Sequence, residues 1–491
     1  MDLYGQVGIL ILVVVSYLLA IVFYNKGQIR VSLLFILLSG LGLRVLTSSD
    51  LYLHDWDERF HALVAKHLSE HPLKPTLYET PPLPYDYKEW YQNNVWLHKQ
   101  PLPLWGIAVS LYLFGNNEFA VRIPSIILSV LSILLTYKII KFYLNERVAL
   151  LSAFLQSING FIIELCAGRV ATDHVDTFFL FFTELAILFV VLYANKKSMW
   201  YLMGIGFSIG LAVLCKWLTA YFVLLVWLMT VYNKTPIRII LGGLGIILVS
   251  SLVVFLPWQI FILSAYPQEA LWEYHFNSMH MFQTVEGKEG GILYYISKAR
   301  ITWNELVYLL FIWFVYSNIR LRNTNRWVIL VWVLIIYGFF TIASTKMPAY
   351  VLPAAPAIFA IISDAVLEIY TVLKLKKYTF FAYAFLIITI GLSIRYSIER
   401  IKPFKTDNNA IATADYARHI DQYVNPVKSV IFNCKKNIEV MFYSDVIAYA
   451  YIPSQKQINE LKIQGWHVYI IDHDLPPDIY DQEIHVLHLP L

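Results

Sequence analysis

The chain has 491 residues, 58% hydrophobic and 15% charged, with a formal net charge of +4. A soluble chain carries about a quarter charged residues, so a soluble enzyme is excluded and a polytopic membrane protein is expected. Cys166, Cys215 and Cys434 are far apart and give neither a disulfide framework nor a thiolate metal site.

Apolar runs long enough to span occur near 6–24 and 31–48. The stretch from Asp50 to Trp105 that follows is polar and aromatic, and forms a large loop on one face of the membrane. Within it, Asp57 to Leu68 reads as an interfacial amphipathic helix, with Trp56 as a headgroup anchor. Asp57 and His61 are four apart and share a helix face. Lys99 lies in a second polar segment, next to prolines that fix the backbone. Read alone, Asp57 and Glu58 are carboxylates suited to a helix start, and Lys99 is a lysine reaching for water.

Further spans are expected near 122–143, 148–166, 176–194, 199–215, 219–233, 237–263, 304–319, 327–345, 349–369 and 378–397, about twelve in all. With the N-terminus outside, the inside turns carry Lys26 and Arg30, Lys141 and Arg147, Lys196 and Lys197, and Lys234 and Arg238. Arg320, Arg322 and Arg326, then Lys374, Lys376 and Lys377, continue the series. These turns are short and basic, as the positive-inside rule requires. They are too short to fold, so the chemistry is expected outside.

The outside turns carry their own charges. Arg169, Asp173 and Asp176 stand at the start of one span, where they either pair with one another or face a water-filled cavity. Lys216 and Lys346 sit at membrane ends on the normally lysine-poor side. Such a cationic cluster suits a lipid phosphate or diphosphate, which lysine meets as a point charge, and Tyr350 could add a hydrogen bond. His61 and His98 are the candidates for a divalent metal ion. From about Pro403 the chain mixes polar and apolar residues. Strands are expected at Ser429–Asn433, Val440–Tyr443, His467–Ile471 and His485–His488, with a helix over Gln455–Gln464. The expected architecture is an all-α transmembrane domain over 1–400 with the outer loop 50–105. A small α/β extracytoplasmic domain follows over 401–491.

Several segments together resemble the membrane glycosyltransferases of the GT-C superfamily, in the aminoarabinose transferase and protein O-mannosyltransferase-like branch (families 39 and 83). They are Asp57-Glu58, His98-Lys99-Gln100-Pro101-Leu102, Phe114 to Pro124, Arg169-Val170-Ala171-Thr172-Asp173, Leu256-Pro257-Trp258 and Thr345 to Pro353. The resemblance implies a polyprenyl-phosphate sugar donor and a lipid or protein acceptor, met at the outer face of the inner membrane. Asp57 and Asp173 match the family's two essential aspartates, Lys99 its phosphate-holding lysine and Tyr350 a nearby tyrosine. The candidate catalytic set is therefore Asp57, Asp173 and Glu58, and the donor-phosphate set Lys99, Lys216, Lys346, Tyr350 and Arg169. Phe60 and His61 stand where lipid A transferases often carry arginine and tyrosine, and Gln100 replaces the first of two prolines, which weighs against lipid A as acceptor. A nucleotide sugar is cytoplasmic, so an outward-facing transferase needs a lipid-carried donor. A lipid-phosphate flippase and an O-antigen ligase or polymerase are the competing readings. Nucleic acid is not an expected partner.

Overall fold

The computed structural model describes residues 3–232, 235–425, 427–473, 475 and 484–490; Lys234 of the expected basic turns lies outside them. Two helices, α1 (Leu3–Asn25) and α2 (Ile29–Thr47), precede the outer loop, which holds α3 (Asp57–Glu70) and leads into α4 (Pro101–Phe114). Then come α5 (Glu118–Tyr143), α6 (Glu146–Ile158), α7 (Gly160–Cys166), α8 (Asp173–Lys196), α9 (Met199–Lys216), α10 (Phe222–Val231) and α11 (Ile237–Ala265). The last membrane-region helices are α12 (Pro267–Phe282), α13 (Tyr294–Thr302), α14 (Val307–Leu321), α15 (Thr324–Ile342), α16 (Ala355–Leu375) and α17 (Thr379–Ile401).

Among the described residues nine helical stretches are long and apolar enough to cross a membrane, or ten if α6 and α7, bent by 53°, form one span. The chain is thus a multi-pass membrane protein. The runs expected at 199–215 and 219–233 continue as one stretch, Met199–Val231. The run expected at 304–319 is α14, only 15 residues long.

Beyond α17, α18 (Asn408–Arg418) leads to a parallel sheet of β1 (Ser429–Phe432), β2 (Ile447–Ala448), β3 (His467–Ile471) and β4 (His485–Leu487), in the order β2-β1-β3-β4. Val430 faces Ile447, Ser429 faces His467 and Tyr469 faces His485. The strand expected at Val440–Tyr443 is instead helical, α19 (Asn437–Tyr443). Parallel β1 and β2 need a crossover between them, and this segment supplies it. The last helix, α20 (Gln455–Ile463), starts with a capping box of Ser454 and Gln457.

Two apolar cores organise these elements. One lies among the membrane helices. The other joins α3, the outer segment around Leu77–Trp96, the start of α5 and the C-terminal sheet. The helix expected to lie on the membrane surface is therefore inside protein. Phe60, Ala62, Leu63, Val64, Ala65 and Leu68 cover most of its circumference, leaving no broad polar face for water. The C-terminal unit also grips α3 through polar contacts. Lys66 Nζ donates to the carbonyls of Met441 and Ser444 at 3.0 and 2.9 Å, and Arg59 meets Glu439 at 3.4 Å. Tyr78 stacks on Tyr449 with ring centroids 4.9 Å apart.

Candidate active site

A cavity of about 650 Å³ opens at the start of α3, and Asp57, Lys99, Lys216 and Tyr350 all line it. Of the helices that reach it, α8 and α15 do so with the end opposite Lys196 and Arg326. The chain starts α8 at Asp173 beside the cavity and ends it at Lys196, and α9 returns to end at Lys216. One wall is apolar, built by Phe339, Phe340, Ala343 and Met347; the other carries Trp56, Phe60 and Trp90.

Lys99 Nζ lies 3.6 Å from Asp57 Oδ2, and the Thr172 N–H donates to the same oxygen at 2.9 Å. Burial opposes the charge on Asp57, but Lys99, helped by the Thr172 N–H, outweighs it and holds the carboxyl below its ordinary range. Thr172 donates from a left-handed backbone, φ 68°, and Trp217, next to Lys216, has φ 61° and ψ −163°. A β-branched or bulky residue rarely adopts such angles, each costing of order 1–3 kcal/mol, and both residues line the cavity. Lys216 pairs with Asp176, which also receives the Thr172 hydroxyl, and its ammonium sits 4.8 Å from the centre of the Tyr350 ring. Asp176, the costly charge one turn into α8, thus has both a cation and a hydroxyl.

The other candidate residues lie elsewhere. Glu58 is fully buried and points away from the cavity into a fork made by Arg122, Nε to Oε1 at 2.7 Å and a terminal nitrogen to Oε2 at 2.9 Å. His54 Nδ1 adds a contact at 2.6 Å. Burial would raise the Glu58 carboxyl, yet Arg122 and His54 hold it well below its ordinary range. Gly168 makes room for this group: a Cβ there would stand 2.3 Å from Glu58 Oε1. Asp173 and His61 are both fully buried and pair with each other at 2.9 Å, outside the cavity lining. Lys346 is corrected most sharply. It is 5% exposed, and its ammonium donates to the carbonyls of Phe340 and Thr341 at 3.0 and 2.6 Å and to that of Ala343. It therefore satisfies the orphan carbonyls at the end of α15 rather than facing the cavity. Arg169 reaches Asp50 at 2.8 Å and the Ile401 carbonyl at 2.5 Å, also outside this cavity.

His98 does line the cavity, stacked on Trp90 at 4.5 Å. Burial and the Lys99 charge push its imidazole below the ordinary value, which favours the neutral ring. Among the described residues, the one group with metal-ligand proximity is exposed Glu70, His71 and Glu79, without His61 or His98. Arg122, Trp217 and Trp90 were not among the candidate site residues; Arg122, like Thr172, lies in a segment that carries the family resemblance.

The fold and the site define a multi-pass membrane protein with a lysine–aspartate cavity at one end of its helix bundle. Residues 98–261 match the family described as dolichyl-phosphate-mannose-protein mannosyltransferase. The chain is 25% identical over 264 residues to undecaprenyl phosphate-alpha-4-amino-4-deoxy-L-arabinose arabinosyl transferase 1 of Pseudomonas fluorescens, covering 51% of this chain and 46% of that one. It is 25% identical over 289 residues to the like-named transferase of Pseudomonas aeruginosa, 54% of this chain and 49% of that one. The chain thus spans about half the length of the curated relatives it matches. Among solved structures, ArnT from Cupriavidus metallidurans bound to undecaprenyl phosphate superposes with a TM-score of 0.63 at 15% identity, over 88% of this chain and 87% of that one. The oligosaccharyltransferase AglB from Archaeoglobus fulgidus gives 0.56 at 13% identity, over 86% of this chain and 64% of that one. These matches bear out the resemblance drawn from the motifs, and the fold is the one seen in ArnT and AglB.

Proposed function

We propose that this chain is an integral membrane glycosyltransferase that moves a sugar from a polyprenyl-phosphate donor to a lipid or protein acceptor. The observation that carries the reading is the Asp57–Lys99 pair, 3.6 Å apart in a cavity also lined by Phe339, Phe340, Ala343 and Met347. A lipid phosphate needs both a cation and a greasy path. The donor classes named for the relatives agree with this.

In the proposed step Asp57 takes the proton of the acceptor hydroxyl as its oxygen attacks the anomeric carbon. The bond from that carbon to the phosphate oxygen breaks, and the phosphate leaves with its charge stabilised by Lys99 and Lys216. A single displacement inverts the anomeric centre. Glu58 and Asp173 act from behind, as anchors of α3 and α8. The reading keeps the site on the outer face of the inner membrane and a C-terminal α/β unit from about residue 401. A divalent ion, if the reaction needs one, would find His98 Nδ1 and Glu273 Oε2 3.6 Å apart, both without hydrogen-bond partners. The flippase and polymerase alternatives are not favoured, since the matches are to transferases.

The test is to reconstitute the chain with labelled undecaprenyl-phosphate sugars and seek a new glycosidic bond on lipid or protein. Movement of the donor across the bilayer with no bond formed would sink the reading. Lys346→Met should leave the Kd for undecaprenyl phosphate within about twofold, under roughly 0.5 kcal/mol. It should lower stability by about 1–3 kcal/mol, because buried carbonyls lose their donor. Binding by calorimetry and thermal melts in detergent would show both; a large loss of phosphate affinity would return Lys346 to the donor site.

A further inference from the structure

A second cavity, of about 240 Å³, lies beside the first. Its walls are Tyr52 to Trp56 ahead of α3, Arg169, α18, and Lys436 with Glu439 from the C-terminal unit. Asp55 and Trp56 line both cavities and lead directly into Asp57. A group seated in the smaller cavity therefore meets the segment that carries the proposed base.

The charges say what kind of group. Arg169 is already on Asp50 at 2.8 Å, and Lys436 is on Asp55 and, at 3.3 Å, on Glu439. The lining as a whole carries three carboxylates, Asp55, Asp407 and Glu439, against these two cations, so its balance of charge opposes an anion. A neutral hydroxyl faces no such conflict, because it accepts from the guanidinium or ammonium and donates to the carboxylate. Trp56 is 56% exposed, and Tyr52 adds a second ring for the apolar face of a sugar. The volume falls below the roughly 300–1,000 Å³ of common small-molecule sites, which suits one ring rather than a chain.

We propose that this second cavity is the acceptor subsite and that it takes a neutral, hydroxyl-rich glycosyl unit. The acceptor is then itself glycosylated, and the C-terminal unit forms part of its binding wall. The inference rests on the transferase reading.

The full chain in nanodiscs tests it with two photoreactive probes, a diazirine-bearing methyl glucoside and the same glucoside on diacylglycerol. Undecaprenyl-phosphate binding is measured in parallel. In the wild type the label is expected in α18 or at Tyr52–Trp56 and is competed by methyl glucoside but not by inorganic phosphate. Thr413→Trp, and as a second variant Ala410→Trp, should cut labelling about tenfold, which is about 1.4 kcal/mol, with undecaprenyl-phosphate affinity unchanged. Labelling by the soluble probe identifies a free glycan acceptor; labelling by the lipid probe alone identifies a glycolipid. Label elsewhere, no label, competition by phosphate, or labelling that survives both variants overturns the subsite. Loss of undecaprenyl-phosphate binding in the wild type itself would bring down the transferase reading instead.

Discussion

Lys99→Ala should cut kcat/KM for sugar transfer by about 10²–10³, the cost of losing one preorganised charge aimed at a developing anion. At 3.6 Å the attraction between Lys99 and Asp57 is large, roughly 4–5 kcal/mol at an effective dielectric of about 20. That lysine therefore does two things: it keeps the base ionised, and it waits beside the place of the leaving phosphate. The second consequence is a pH effect. In the wild type the Asp57 carboxyl is held below its ordinary range, so transfer persists as pH falls until that depressed value is reached. Without Lys99 the burial of Asp57 is less opposed, its pKa rises, and the acid limb of the kcat/KM profile moves to higher pH. The stability sign is the same. A depressed carboxyl stabilises the fold above its unfolded pKa and loses that contribution as pH falls through the folded value. Steady-state rates across pH would decide. An unchanged acid limb in Lys99→Ala would remove Asp57 as the base, and an unchanged rate would remove Lys99 from the phosphate.

Lys216 and Tyr350 were legible because charges and hydroxyls at the ends of apolar runs must have a use or a partner, whereas Asp57 and Lys99, inside the polar outer loop, stood out by the resemblance of their segments to the family's motifs. The sequence could not say which had a partner instead of a use. Lys346 and Lys216 look alike on paper, both at outer membrane ends. One meets the carbonyls at the end of α15, and the other meets Asp176 at the cavity edge. The membrane spans followed from hydrophobic length alone, but where a helix bends, as between α6 and α7, depends on packing. The placement of α3 was missed for a related reason. Its composition gave an amphipathic reading at the membrane, and nothing local revealed that a sheet more than three hundred residues later would cover it. The α19 crossover was hidden the same way, since Val440–Tyr443 is short enough to suit either element and only the parallel pairing of β1 with β2 decides.

Arg122→Ala should destabilise the chain by about 3–5 kcal/mol, because it leaves Glu58 buried without its partner. Both side chains are fully buried. Arg122 also donates to the carbonyls of Ser48 at 3.0 Å, Asp50 at 2.6 Å and Tyr52 at 2.7 Å, so it pins the chain that enters α3. The loss would therefore release the segment that aims Asp57. Arg122→Lys should recover only part, since an ammonium cannot span both carboxylate oxygens as the guanidinium fork does. The double variant Glu58→Gln with Arg122→Met separates anchoring from chemistry. With no charge left stranded it should melt above Arg122→Ala and regain some transfer activity. A folded but wholly inactive double variant would put Glu58 back among the catalytic groups, whereas an Arg122→Ala chain that melts like the wild type would show that the buried pair does not hold α3 in place.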